Sequence, residues 1–81
     1  MAGDDKTIRT IADEIARYFD DHPHAADTAE GICRWWLARQ RSEYPIEDVQ
    51  AALDDLVARG LGRRRDLPGK PPVYVRGRRP S

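Results

Sequence analysis

The clearest pattern of apolar and polar positions lies between Pro45 and Gly60. Apolar side chains recur there at helical spacing, namely at Ile46, Val49, Leu53, Leu56 and Val57. This spacing is typical of a helix with one buried face. Pro45 suits the first position of a helix, where its missing N–H is not needed, and Gly60 can adopt the left-handed conformation that ends one. The pattern predicts a third helix between these two residues.

Two earlier helices are predicted in the same way. The first spans about Thr7 to Asp21, and its buried stripe is Ile8, Ile11, Ala12, Ile15 and Phe19. It ends at residues 22–24, because the residue before Pro23 avoids the helical conformation. The second begins at Asp27 or Thr28, either of which can cap a helix, and runs to about Arg41. Its inward residues are predicted to be Ala29, Ile32, Cys33, Trp36 and Leu37.

Two short strands are predicted after the third helix, at residues 61–65 and 73–76. The Pro-Gly-Lys-Pro segment between them indicates a hairpin with a loose loop. The expected fold class is therefore α+β, with three helices followed by a two-stranded β-hairpin, in one domain over residues 7–76. Residues 1–6 are polar and acidic, and residues 77–81 have nothing apolar to bury, so both ends are expected to be disordered.

A helix that ends in Ala-Arg-Gly-Leu at residues 58–61 and leads directly into a basic hairpin resembles the last helix and wing of the winged helix-turn-helix superfamily. The resemblance implies a DNA-binding module, such as a small bacterial transcriptional regulator. Its third helix would read bases in the major groove, and its wing would contact phosphates. The helix positions facing DNA would be Glu47, Asp48, Gln50, Ala51 and Asp54. Gln50 is the base-reading candidate among them, because carboxylates are repelled by phosphates.

Charge separates along the chain, although the formal net charge is zero. Residues 1–56 carry six Lys or Arg against thirteen Asp or Glu, and residues 57–81 carry eight against one, giving net charges of −7 and +7. Such asymmetry points to a polyanionic partner at the basic end. The basic residues expected to contact DNA from the hairpin are Arg63, Arg64, Arg65, Lys70 and Arg76. Strand alternation places Arg63 and Arg65 on one face and Arg64 on the other.

A protein partner is the alternative to double-stranded DNA. Trp35 and Trp36 are adjacent in the second helix, so their side chains point about a hundred degrees apart and cannot share one core direction. Trp35 is expected at the edge of the core or on the surface, where tryptophan often anchors a partner. The exposed face of the third helix is acidic, and an interaction adaptor could use both features. One small module buries only ~600–1,000 Å² on DNA, so useful DNA affinity would need a homodimer or a larger protein partner.

Signals for catalysis are missing from the sequence. There is no phosphate-binding glycine loop, nucleophile elbow or helical zinc motif, so we expect neither an enzyme nor a cofactor. His22 and His24 have no further residues to complete a metal site and are expected to lie in a loop. Cys33 falls among apolar positions and is predicted to be buried and inert. A single cysteine and the absence of a membrane-spanning or signal segment fit a cytoplasmic protein.

Overall fold

The computed structural model describes residues 5–37 and 44–77. The helices within these ranges are α1, Asp5–Asp21; α2, a single turn at Ala29–Gly31 that continues into a π-helical segment, Ile32–Trp36; and α3, Ile46–Ala58. The strands are β1, Ala26–Thr28; β2, Gly62–Leu67; and β3, Lys70–Arg76. The small α+β class predicted from the sequence is confirmed.

Helix α1 starts earlier than predicted, because Asp5 and Lys6 are helical. The Asp5 carboxylate lies in the first turn, where negative charge favours the helix dipole. Residues 5 and 6, which were predicted to be part of a disordered segment at residues 1–6, therefore belong to α1. Residues 1–4 lie outside the described ranges.

Helix α2 is capped by Thr28, whose hydroxyl oxygen accepts a hydrogen bond from the Gly31 N–H at 3.0 Å. Asp27, the other predicted cap, instead accepts from the Thr28 N–H at 2.8 Å. A Cβ on Gly31 would overlap this Asp27 carboxylate, so a larger residue there would have to displace the Asp27 side chain from the Thr28 N–H. The predicted end of this helix, residues 38–41, lies outside the described residues.

The π-helical segment was not predicted, since its wider turn has no signature in the apolar spacing. The Leu37 N–H donates to the Ile32 carbonyl oxygen, which is the i to i+5 bond of a π-helix. Ile32, Trp36 and Leu37 are buried as expected, while Cys33 is only half-buried. The Cys33 thiol donates to the carbonyl oxygen of Tyr44 at 3.4 Å.

The sheet has three antiparallel strands in the order β1-β3-β2, so the prediction of a two-stranded sheet was wrong. The missed strand, β1, has three residues and follows the loop of residues 22–25. It pairs with the far side of β3, which places Asp27 opposite Tyr74. The middle strand of the sheet is therefore β3, and β2 forms one edge.

The prediction of a loose hairpin loop was also wrong, because the connection between β2 and β3 is a two-residue turn at Pro68-Gly69. Leu67 pairs directly with Lys70, and Gly69 has a φ of 70°. Proline followed by a glycine with positive φ is the residue pair of a type II turn. Pro71 and Pro72 then form a bulge opposite Asp66, where the pairing register shifts. A bulge tolerates prolines because the ladder there does not require their missing N–H groups.

The core is formed by one face of each helix and by the middle strand. Its buried apolar residues are Ile11, Ala12, Ile15, Phe19, Ile32, Trp36, Leu37, Val49, Ala52, Leu53, Leu56 and Tyr74. Two residues predicted in the α3 stripe lie outside it, since Ile46 is 43% exposed and Val57 is 37% exposed. Both point to one side of the direction shared by Val49, Leu53 and Leu56 around the helix axis, and Ala52 completes the buried face instead.

The hairpin is attached to α3 through Gly60, whose φ of 77° ends the helix as predicted. The Leu61 N–H donates to the Leu56 carbonyl oxygen at 2.9 Å, and the Gly77 N–H donates to the Leu61 carbonyl oxygen at 2.9 Å. Gly77 is buried, so it belongs to the fold rather than to the predicted tail. Residues 78–81 of that tail lie outside the described residues.

Candidate nucleic-acid interface

The two faces of β2 carry different arginines. Arg64 lies opposite Tyr74 in the β2–β3 ladder, and Tyr74 is buried against the helices. Arg64 therefore belongs to the inner face of the sheet. Arg63 and Arg65 lie opposite Val75 and Val73, on the outer face, as strand alternation predicted.

The outer-face arginines are exposed, and no carboxylate of residues 5–37 or 44–77 lies within 4.0 Å of their guanidinium groups. Their aliphatic stems stand directly opposite two half-buried valines, Val73 and Val75, which such stems can cover while the charge stays in water. Residues two apart on a strand are separated by about 7 Å. The outer face thus presents two neighbouring cations that the described part of the protein does not neutralise.

The inner-face arginines are engaged by carboxylates of the chain itself. Arg64 Nε donates to Asp66 Oδ1 at 2.9 Å, and this hydrogen bond raises the pKa of Arg64 above its ordinary value. Arg76 Nη2 lies 3.8 Å from Asp20 Oδ1 of α1, and both side chains are only partly exposed. Of the five basic residues predicted to contact DNA, Arg64 and Arg76 are thus paired with carboxylates of the chain and are less available to a partner than the other three.

Lys70 is the first residue of β3, directly after the Pro68-Gly69 turn. Its side chain is exposed, and none of the ion pairs between described residues includes it. It lies one bulge away from Arg65 along the hairpin, so Arg63, Arg65 and Lys70 form the available basic group. We call these three residues the wing cations.

The α3 face that would read bases is acidic, and its one amide is tied down. Gln50 Nε2 donates to the Tyr74 hydroxyl at 2.7 Å and to Asp54 Oδ1 at 3.2 Å. Gln50 is half-buried, while Glu47 and Asp54 on the same stripe are exposed. Asp48, predicted to face DNA, is instead 94% buried, because it lies on the same side of α3 as Val49 and Ala52.

Trp35 is a surface residue, 63% exposed. It lines a shallow depression at the start of the second helix together with Asp27, Thr28, Glu30, Gly31 and Arg34. Arg34 Nη2 and Glu30 Oε1 form an exposed ion pair at 3.0 Å in this depression. Trp35 therefore lies on the surface, which is one of the two positions expected for it. Its neighbours in the depression are polar, so the indole ring is the one large apolar group that lines it.

A cleft between the hairpin and the helical body was missed by the sequence analysis. It has a volume of about 220 Å³, and its lining residues are Thr28, Ala29, Glu30, Ile46, Gln50, Pro71, Pro72 and Tyr74. Ile46 and Glu30 also line an adjoining open depression that reaches Cys33 and Arg34. The sequence signal for the cleft was Ile46 at the start of the α3 stripe, but apolar spacing alone assigns such a residue to the core.

Other predicted features are placed as follows. His22 and His24 lie in the loop after α1 and are exposed, and the His22 ring lies 4.5 Å from that of Tyr18. Among residues 5–37 and 44–77, no three His, Cys, Asp or Glu side chains gather as metal ligands would. None of the helices in the same ranges has the length and apolar content that a membrane span requires.

Comparisons with protein families, with curated proteins and with solved structures find no match to this chain.

Proposed function

We propose that the protein is a winged-helix module that binds double-stranded DNA through the phosphates, using the wing cations Arg63, Arg65 and Lys70. The observation that carries the proposal is the pair of arginines on the outer face of β2, exposed and unmatched by any described carboxylate. A hairpin that directly follows a third helix supports the winged-helix arrangement. A role as a small transcriptional regulator follows from that resemblance.

In this proposal the hairpin provides most of the affinity for DNA, and α3 contributes little to the recognition of base sequence. The exposed carboxylates of Glu47 and Asp54 would repel phosphates, and the Gln50 amide is already hydrogen-bonded to Tyr74. Contacts to phosphates carry no sequence information directly. We therefore expect weak discrimination between duplexes of different sequence, and affinity that falls steeply with salt.

The test compares two variants of the same strand by fluorescence anisotropy with a short labelled duplex at low salt. Arg63→Gln with Arg65→Gln removes two outer charges, and we expect binding to fall by roughly a hundredfold if each phosphate contact contributes ~1.4 kcal/mol. Glutamine keeps part of the aliphatic stem opposite Val73 and Val75, and an unchanged thermal unfolding curve would show that the double variant is folded.

Arg64→Gln is the matched control, because it removes a charge of the same strand that Asp66 already engages. We expect its duplex affinity to stay within about twofold to threefold of the unmodified protein. Absence of duplex binding at low salt, or an equal loss in the control, would exclude the proposal.

A second candidate function, a protein-binding adaptor, is favoured by the exposure of Trp35. A tryptophan that is 63% exposed is a common hot-spot residue in protein interfaces, and the acidic stripe of α3 would suit a basic partner. A partner isolated with the unmodified protein should be lost with Trp35→Ala and kept with Val57→Ala, which alters another exposed apolar residue. Retention of every partner by Trp35→Ala would remove this candidate.

A further inference from the structure

A hydrogen bond between two side chains joins α3 to the middle strand of the sheet. Gln50 Nε2 of α3 donates to the Tyr74 hydroxyl of β3 at 2.7 Å, and Asp54 Oδ1 accepts from the same amide at 3.2 Å. Tyr74 is 1% exposed, so packing fixes its ring and little water competes for its hydroxyl. The Gln50 amide is therefore held between two partners within the chain itself.

This hydrogen bond lies where the hairpin leaves the helical body. On the side towards Gly60, the Leu61 N–H donates to the Leu56 carbonyl oxygen and attaches the start of the hairpin to α3. On the side towards the turn, the cleft lies between Ile46 of α3 and Pro71 of β3. The bond therefore fixes the hairpin to α3 at the edge of the part that projects.

The positions of the wing cations depend on this bond through the ladder of the sheet. Tyr74 pairs with Arg64 of β2, and Arg64 stands between Arg63 and Arg65 in the strand. Asp66 foremost, and Tyr74 as well, raise the pKa of Arg64, so its guanidinium lies close to the same bond. A change in the angle between β3 and α3 would move the two outer arginines with the strand.

We propose that Gln50 is a positioning residue, whose hydrogen bond to Tyr74 holds the hairpin at one angle to α3 so that the wing cations are prearranged for phosphates. This role rests on the proposed function, and it takes the place of the base reading expected for Gln50. A prearranged hairpin loses less conformational freedom when it binds. The bond therefore contributes to affinity without touching DNA, and it does so equally for every duplex sequence.

Two substitutions remove the bond from either side. Gln50→Leu and Tyr74→Phe each delete one partner and keep a side chain of similar volume. We expect each to lower the affinity for a short duplex by about threefold to tenfold, which corresponds to the net contribution of one hydrogen bond. The double variant should lose about as much as Gln50→Leu alone, because both changes break the same bond. Losses that add in the double variant would overturn the proposal.

Duplexes of unrelated sequence separate positioning from base reading. Positioning predicts the same factor of loss for each duplex, and the slope of log affinity against log salt concentration should stay at about −2.7, because no phosphate contact is removed. A loss with Gln50→Leu that is confined to some sequences, or that persists in full when Tyr74 is already phenylalanine, would show that Gln50 reads bases instead.

Ile11→Val is the matched control for stability. Ile11 is a fully buried residue of α1, and the loss of one methylene there should cost about as much stability as the loss of the hydrogen bond. At a temperature at which thermal unfolding curves show every variant to be folded, its duplex affinity should equal that of the unmodified protein. An equal loss of affinity in this control would overturn the proposal.

Hydrogen exchange of the free protein tests the same bond without DNA. Compared with the Ile11→Val protein, the Gln50→Leu and Tyr74→Phe proteins should exchange the amides of residues 63–73 about threefold to tenfold faster, while the amides of α1 exchange at similar rates. Unchanged exchange in the hairpin would overturn the proposal, and so would equal duplex binding by the unmodified protein and both variants. Absence of duplex binding by the unmodified protein would instead overturn the proposed function, and this role of Gln50 with it.

Discussion

At the scale of single residues, the structure separates side chains that fold the protein from side chains that remain available. Leu53 is 1% exposed and Leu56 is fully buried, whereas Val57, the next residue, is 37% exposed. Arg64 is hydrogen-bonded to Asp66, whereas Arg63 and Arg65 have no carboxylate partner among the described residues. One step along a helix or strand therefore changes how exposed a side chain is, or whether it has a partner within the chain.

Leu53→Ala tests the buried face of α3. The substitution leaves a cavity among the core residues, and we expect it to lower the free energy of unfolding by ~2–5 kcal/mol. Val57→Ala, the control, should lower it by no more than about 1 kcal/mol, because Val57 is 37% exposed and lies outside the core. Urea unfolding of both proteins measures the difference, and similar midpoints for the two would contradict the orientation of α3.

At the scale of elements, long periodic segments were predictable and short ones were not. The apolar stripe predicts α1 because many residues at helical spacing share one face. Gly60 predicts the end of α3 because a glycine readily adopts the left-handed conformation. Strand β1 has three residues and no alternating pattern, so nothing local distinguishes it from a loop; its pairing with β3 creates it.

In the hairpin, too, the sequence did not predict the exact length of the turn or the presence of the cleft. Pro-Gly-Lys-Pro signals a turn, but only the pairing of Leu67 with Lys70 shows that two residues suffice. The outer position of Arg63 and Arg65 followed from alternation. The ion pair of Arg76 with Asp20 did not, because it joins residues far apart in the sequence. The cleft was not predictable for the same reason.

Gly69→Ala tests the tight turn of the hairpin. Gly69 has a φ of 70°, and a residue with a Cβ loses roughly 1–2 kcal/mol in that conformation. We expect a lower melting temperature for Gly69→Ala and a smaller decrease for Gly69→Asn, since asparagine tolerates positive φ. Equal melting temperatures for alanine and glycine would indicate a turn of another type.

At the scale of the whole molecule, the fold separates charge of opposite sign. Residues 1–56 have a net charge of −7 and residues 57–81 a net charge of +7, and strand alternation places Arg63 and Arg65 on the face of the sheet away from the helices. Such a molecule is attracted to a polyanion at the hairpin and is repelled from it at α3. The proposed DNA contact uses the first property.

The most direct test of phosphate binding by the wing is the salt dependence of the duplex affinity. Three contacts from Arg63, Arg65 and Lys70 predict a slope of about −2.7 in a plot of log affinity against log salt concentration, and the Arg63→Gln, Arg65→Gln protein should retain a slope of about −0.9. A slope near zero for the unmodified protein, or one that the double substitution leaves unchanged, would contradict the proposal that these guanidinium groups bind phosphates.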